Sequence, residues 1–155
     1  MAYTCTLKVL KPQPVMSIRG PAAAHAIPGK IAEFLSEAWG YVQQKGGRIV
    51  GPPFTRFHGA HDGAVDLEGG VPVENALPPG GRIHTGELPG GEVVVTTHVG
   101  PYDGLPEARA ALEAWTRSAG RKAAGPAWQV YWTDPGEVKD STKWQTEVVL
   151  PLEPA

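Results

Sequence analysis

Cysteine is nearly absent: Cys5 stands alone, which rules out an internal disulfide and any cysteine-rich zinc or iron–sulfur centre. Surplus charge is lacking too. With 14 Lys plus Arg against 16 Asp plus Glu, the formal net charge is −2, leaving no basic excess to neutralise a phosphate backbone, so nucleic acid is not an expected partner. Long apolar runs are also missing. Met1 to Leu10 has no extended apolar core around Lys8 and Lys11, and the purest apolar stretch is Val93-Val94-Val95, so neither secretion nor a membrane partner is expected. These absences point to the cytoplasm.

What is plentiful is punctuation. Twenty Gly and 16 Pro accompany 41% hydrophobic residues and five Trp, a balance that suits a folded, turn-rich domain of short strands and not a disordered chain. The doublets Gly46-Gly47, Pro52-Pro53, Gly69-Gly70, Pro78-Pro79, Gly80-Gly81 and Gly90-Gly91 mark turns, and none is long enough to be a linker. A chain of 155 residues is expected to form one domain without metals or disulfides.

Apolar residues Ile31, Phe34, Leu35, Ala38, Trp39 and Val42 follow helical spacing, with Pro28 in the first turn and Gly46 at the end. Leu105, Ala108, Leu112, Trp115 and Ala119 predict a second helix, with Asp103 as N-cap and Gly120 as the stop. Strands are expected over 6–10, 15–19, 54–58, 64–73, 82–88, 92–99, 128–133 and 144–152. The pattern also repeats. Gly20-Pro21 ahead of the first helix is echoed by Gly100-Pro101 ahead of the second. After each helix comes a Gly-Pro-x-aromatic turn, Gly51 to Phe54 and Gly125 to Trp128, and each half then places a Glu four residues before a Pro: Glu68 before Pro72, Glu147 before Pro151. The expected fold is α+β, a tandem pair of βαββ units over about 5–75 and 82–152 with antiparallel sheets, two helices and a ligand cleft between the halves.

The segments His98-Val99-Gly100-Pro101-Tyr102, Tyr131 to Val138 and Thr146-Glu147-Val148-Val149-Leu150-Pro151-Leu152 resemble the GyrI-like small-molecule-binding family. This is the effector-binding domain of AraC-type and MerR-type bacterial transcription activators. Gly51 to His58 and Val65 to Val73 are similar to its corresponding first-half strands. The resemblance implies an SHS2-like pseudo-dimer, with an acidic residue in the last strand, here Glu147, that meets cationic, aromatic, drug-like molecules. It also implies a helix-turn-helix domain in the regulators, for which the chain leaves no room ahead of Thr6, so a freestanding binder without a DNA-binding domain is expected.

Strand alternation puts Trp144, Thr146, Val148 and Leu150 on a helix-facing side and Gln145, Glu147 and Val149 on the other. A poorly hydrated carboxylate among aromatics would select flat, lipophilic cations. Tyr102, Tyr131 and Trp132 are candidate stacking residues; Tyr131 and Trp132 would point to opposite faces of a shared strand, and parity does not choose between them. Phe57, the aromatic three residues into the first-half strand, is a further ligand candidate. Trp39 and Trp115 lie on apolar helix faces, in the core or on the rim of a cleft. Glu68, the repeat partner of Glu147, is a ligand candidate with a solvated or Arg-paired role as its rival, and His98 either lines the cleft or is a hydrogen-bonded structural histidine. His58-Gly59-Ala60-His61-Asp62 offers nitrogen and oxygen donors, but it reads as a Gly-containing loop, and neither a metal nor a cofactor is expected. No nucleophile elbow, phosphate loop or dinucleotide fingerprint occurs.

The expected function is capture of hydrophobic aromatic, cationic molecules, a multidrug-type binding or toxin-sequestering role. The alternative is hydrolysis of cyclopropane-bearing genotoxins by Glu147 with Tyr102 steadying developing charge, and a third reading is gyrase modulation. The oligomeric state stays open between monomer and weak dimer.

Overall fold

A computed structural model describes residues 3–155, except for the side chain of His61. The chain divides into two compact units: Pro12–Pro89 forms one, and Gly90–Ala155 joins the described N-terminal residues up to Lys11 in the other. The architecture is α+β, and in each unit an antiparallel four-stranded sheet carries one long helix.

In the Pro12–Pro89 unit, β2 (Gln13–Ala23) pairs with β4 (Ala64–Pro72) and β5 (His84–Leu88), while β3 (Phe54–His61) pairs with β4, giving the order β3-β4-β2-β5. Helix α1 (Ile27–Gln44) buries Phe34, Ala38 and Val42, spaced one turn apart, against Met16, Ile18, Leu67 and Val71. Two strand glycines allow close approaches, Gly69 to the helix and Gly70 to the neighbouring strand β2. A Cβ at Gly69 would lie 3.1 Å from Phe34 Cβ, and one at Gly70 only 2.3 Å from the Met16 carbonyl oxygen. In the other unit, β6 (Gly91–Val99) pairs with β1 (Thr6–Leu10) and β8 (Gln145–Pro151), and β8 with β7 (Trp128–Tyr131), giving β1-β6-β8-β7. Helix α2 (Leu105–Ser118) packs Leu105, Ala108 and Leu112 on Val94, Val148, Leu150 and Leu152.

Both helices end as the glycines predict. Gly46 (φ 70°) and Gly120 (φ 67°) adopt left-handed backbone, and paired bonds from Gly47 N to Val42 O and Gly46 N to Gln43 O, then from Arg121 N to Thr116 O and Gly120 N to Arg117 O, close a Schellman motif at each. Pro28 lies in the first turn of α1 as expected, but the start of α2 differs from expectation. Asp103 is not the cap of α2: it lies in a 3-10 turn over Tyr102–Gly104, and Gly104 at the N-cap supplies no side chain to the exposed amides.

The compact units also cut the chain differently from the repeats at 5–75 and 82–152. β1 belongs with the later strands because Thr6 to Leu10 pair with Val95 to Gly91, and β5 belongs with the earlier ones because Gln13 to Ser17 pair with Leu88 to His84. The strand expected over 54–58 runs on to His61. It reverses at Asp62-Gly63, whose positive φ angles of 54° and 75° make a two-residue hairpin turn of the I′ kind, so the His58–His61 stretch is strand and not loop. No described helix is long and apolar enough to cross a membrane.

Candidate functional site

Register decides which side chains meet. In the unit that contains α2, Thr146, Val148 and Leu150 face the helix, and the alternate residues Glu147 and Val149 face the other way, as strand alternation predicts. Glu147 is paired with Thr97 on β6 and Val130 on β7, while the same face carries buried Val93, Val95, Val149 and Trp128. A carboxylate has been set beside apolar ground. Its side chain is 21% exposed, with Oε2 3.9 Å from the ammonium of Lys8.

Trp132 extends this ladder past β7 by donating its amide to the Gln145 carbonyl, which puts its indole on the Glu147 face. There Nε1 lies 3.5 Å from Glu147 Oε1, and the ring remains 58% exposed. Tyr131 takes the opposite face. It pairs with Thr146, is buried, and donates its hydroxyl to Gln129 Oε1 at 3.1 Å. Tyr102 joins it there, with ring centroids 5.5 Å apart in an edge arrangement, and Trp144 also packs on Tyr102 with centroids 4.9 Å apart. Burial, and then the charge of Asp134, push the Tyr102 phenol above its ordinary pKa. The sequence candidates therefore separate: Glu147 and Trp132 lie on one side of the sheet, and Tyr102 and Tyr131 on the other, beside Trp144, with Tyr131 and Trp132 on opposite faces as alternation predicts.

Glu68 occupies the matching place in the Pro12–Pro89 unit, on the face of β4 turned away from α1. Here the carboxylate is consumed. Oε1 accepts from Arg56 Nε at 2.9 Å and Nη2 at 2.8 Å and from His58 Nε2 at 2.7 Å, and Oε2 accepts from Ser17 Oγ at 2.7 Å. A β-bulge helps aim His58, because Phe57 pairs with Leu67 and Gly59 with Asp66, leaving His58 as the extra residue. Burial alone would raise the Glu68 carboxyl, but the His58 and Ser17 bonds and the Arg56 charge outweigh it and hold it below the usual carboxylate value. Glu68 thus takes the Arg-paired role.

The remaining candidates fall into the framework. Phe57 packs against the α1 core, and Trp115 packs against the α2 core. Trp39 is not core: at 48% exposure it lies about 100° around α1 from Ala38, off the narrow strip that the sheet covers. His98 is the hydrogen-bonded structural histidine, donating from Nε2 to the Pro101 carbonyl at 2.8 Å while Nδ1 accepts from the Tyr3 hydroxyl at 2.9 Å. Of the stretch considered for metal donors, His58 is bound to Glu68, and the His61 side chain lies outside the described residues. No group of described residues is arranged to hold a metal. An open cavity of about 540 Å³ beside α1, lined by Tyr41, Lys45, Pro78, Pro79 and Arg82 among others, contains none of the candidates and had no signal in the sequence patterns.

The model of the GyrI-like small molecule binding domain matches residues 3–153. The chain belongs to this family. Among solved structures, the GyrI-like fold is shared with the EcmrR C-terminal domain at 23% identity and TM-score 0.87, with each chain covered completely. It is shared also with EcmrR in a DNA complex, at 23% identity and TM-score 0.86, where 99% of this chain spans only 58% of that one. SAV2435 bound to tetraphenylphosphonium (14% identity, TM-score 0.63, 99% and 94% covered) and a hydrolase from Listeria innocua (13%, 0.68, 96% and 91%) have the same fold. No curated protein matches the chain.

Proposed function

We propose that this GyrI-like domain binds lipophilic aromatic cations on the sheet face that carries Glu147 and Trp132. One observation carries the reading. Glu147 is a partly buried carboxylate next to an exposed indole, on a face where Thr97 and Val130 flank it and Val93, Val95, Val149 and Trp128 are buried. A bulky organic cation gives up little hydration on entering such ground, stacks on the indole and meets an opposite charge, and cation–π and ionic contacts each contribute on the order of 1–2 kcal/mol where water is thinned. The likeness to a protein bound to tetraphenylphosphonium, which is a cation of this class, supports the same choice. A hydrolytic pairing of Glu147 with Tyr102 draws no support from their placement on opposite faces.

The test is titration with tetraphenylphosphonium, followed by tryptophan fluorescence, in the wild type and Glu147→Gln. The wild type is expected to bind with micromolar affinity, and the variant about 5- to 30-fold more weakly, while uncharged triphenylphosphine oxide binds both alike. Equal losses for the charged and the neutral probe would overturn the electrostatic role.

A further inference from the structure

Lys8 lies on the edge strand β1, where it pairs with Val93, and Val93, Val95 and Thr97 share the β6 face that Glu147 pairs with. From there its side chain reaches past β6 until Nζ stands 3.9 Å from Glu147 Oε2, on the opposite oxygen from the one that faces Trp132. The carboxylate is flanked by an indole and an ammonium. At 3.9 Å, with Lys8 half-exposed, the pair is too long for a hydrogen bond and too wet to be strong.

We propose that Lys8 is the resident counterion of the ligand carboxylate, displaced when a cationic ligand binds, and that it sets how far the site favours cations over neutral molecules. This rests on the reading of Glu147 as the ligand carboxylate. A compact ammonium is strongly hydrated and returns to water at little cost, whereas a broad organic cation is weakly hydrated and gains the indole face as well. The exchange therefore favours the ligand. It is still a competition. Every cationic ligand must displace a tethered charge that a neutral ligand can ignore, so Lys8 lowers cation affinity selectively and makes the site less cation-biased than its carboxylate alone would.

The experiment compares wild type, Lys8→Met and Lys8→Arg with tetraphenylphosphonium and triphenylphosphine oxide at low salt. Lys8→Met keeps the apolar stem and removes the charge; it is expected to bind the cation about 2- to 5-fold more tightly and the neutral probe unchanged, with Lys8→Arg like the wild type. A second measurement needs no variant: acetylation of Lys8 by an amine-reactive ester, read by mass spectrometry, should speed up when tetraphenylphosphonium saturates the site and stay constant with the neutral probe. Unchanged or weaker cation binding by Lys8→Met, with labelling indifferent to the cation, would overturn the counterion role while Glu147→Gln still weakens the cation. Tetraphenylphosphonium binding untouched by Glu147→Gln would instead remove the reading beneath it.

Discussion

Replacing Glu68 by Gln isolates the charge of the buried cluster, because the hydrogen-bond geometry can survive. The amide oxygen can take the place of Oε1 and accept from Arg56 and His58, and the amide nitrogen can donate to the Ser17 hydroxyl that now bonds Oε2. What disappears is the negative charge opposite the Arg56 guanidinium, whose side chain is only 14% exposed. An uncompensated, nearly buried cation costs about 3–5 kcal/mol. At this chain length that corresponds to a Tm lowered by roughly 6–20 °C. Urea unfolding at pH 7 checks it, and pH supplies a second axis. The Glu68 carboxyl is held below its unfolded value, so its contribution is fully present above the unfolded pKa of about 4.3 and is lost as pH falls through the lower folded value. The gap between wild type and variant should therefore hold steady from pH 7 to about 5 and narrow in stronger acid. Asp66→Asn is the control. Its partner Arg19 sits on the same face at 2.7 Å but is half-exposed, so that change should cost at most about 1 kcal/mol. A loss for Glu68→Gln no larger than the control, or a gap that widens in acid, would refute the assignment of Glu68 as a structural charge.

Gly70→Ala should destabilise by about 1–3 kcal/mol or more, because its Cβ would sit 2.3 Å from the Met16 carbonyl and 2.6 Å from Ser17 Cβ in the middle of the β2–β4 pairing; a melting temperature equal to the wild type would contradict this. Burial pushes the Cys5 thiol up, so in native protein near pH 8 it should react with Ellman's reagent more slowly than free cysteine and speed up in urea; equal native and unfolded rates would show that the thiol is not held back.

Much of this fold can be read directly, and for local reasons. The glycines at 46 and 120 mark helix ends because only the residue after the C-cap needs left-handed backbone, and the alternation of Thr146, Val148 and Leu150 with Glu147 is a one-dimensional pattern that a strand turns directly into two faces. The Asp62-Gly63 hairpin was equally legible, since an Asp-Gly pair at a reversal is the usual source of two consecutive positive φ angles. It was obscured by Gly59 ahead of it, which invites a loop reading although it lies within the strand. Other features depend on pairing across the chain. That β1 lies beside β6 and β5 beside β2 cannot be taken from a repeat, which records descent of segments and not the strands they later join. Trp39 carries the spacing of a core residue, but spacing describes an apolar arc without saying how much of the arc the sheet will cover.

The division of labour between the two repeat acids follows the same logic. Glu68 and Glu147 hold the same place in their repeats and both turn away from their unit's helix, so neither position nor face separates them. The strand partner does. Across from Glu68 stand Arg56 on β3 and Arg19 on β2, and Arg56, with the bulge-borne His58 and Ser17, saturates the carboxylate from inside the fold. Across from Glu147 stand Val130 on β7 and Thr97 on β6, which bring no charge, and the nearest cation comes from Lys8 at a distance too long to hold it. One acid has its guanidinium built in, as a flat, delocalised, permanently charged partner; the other faces an indole and a weakly held ammonium, and the lipophilic cation proposed as its ligand would supply there what Arg56 supplies to Glu68.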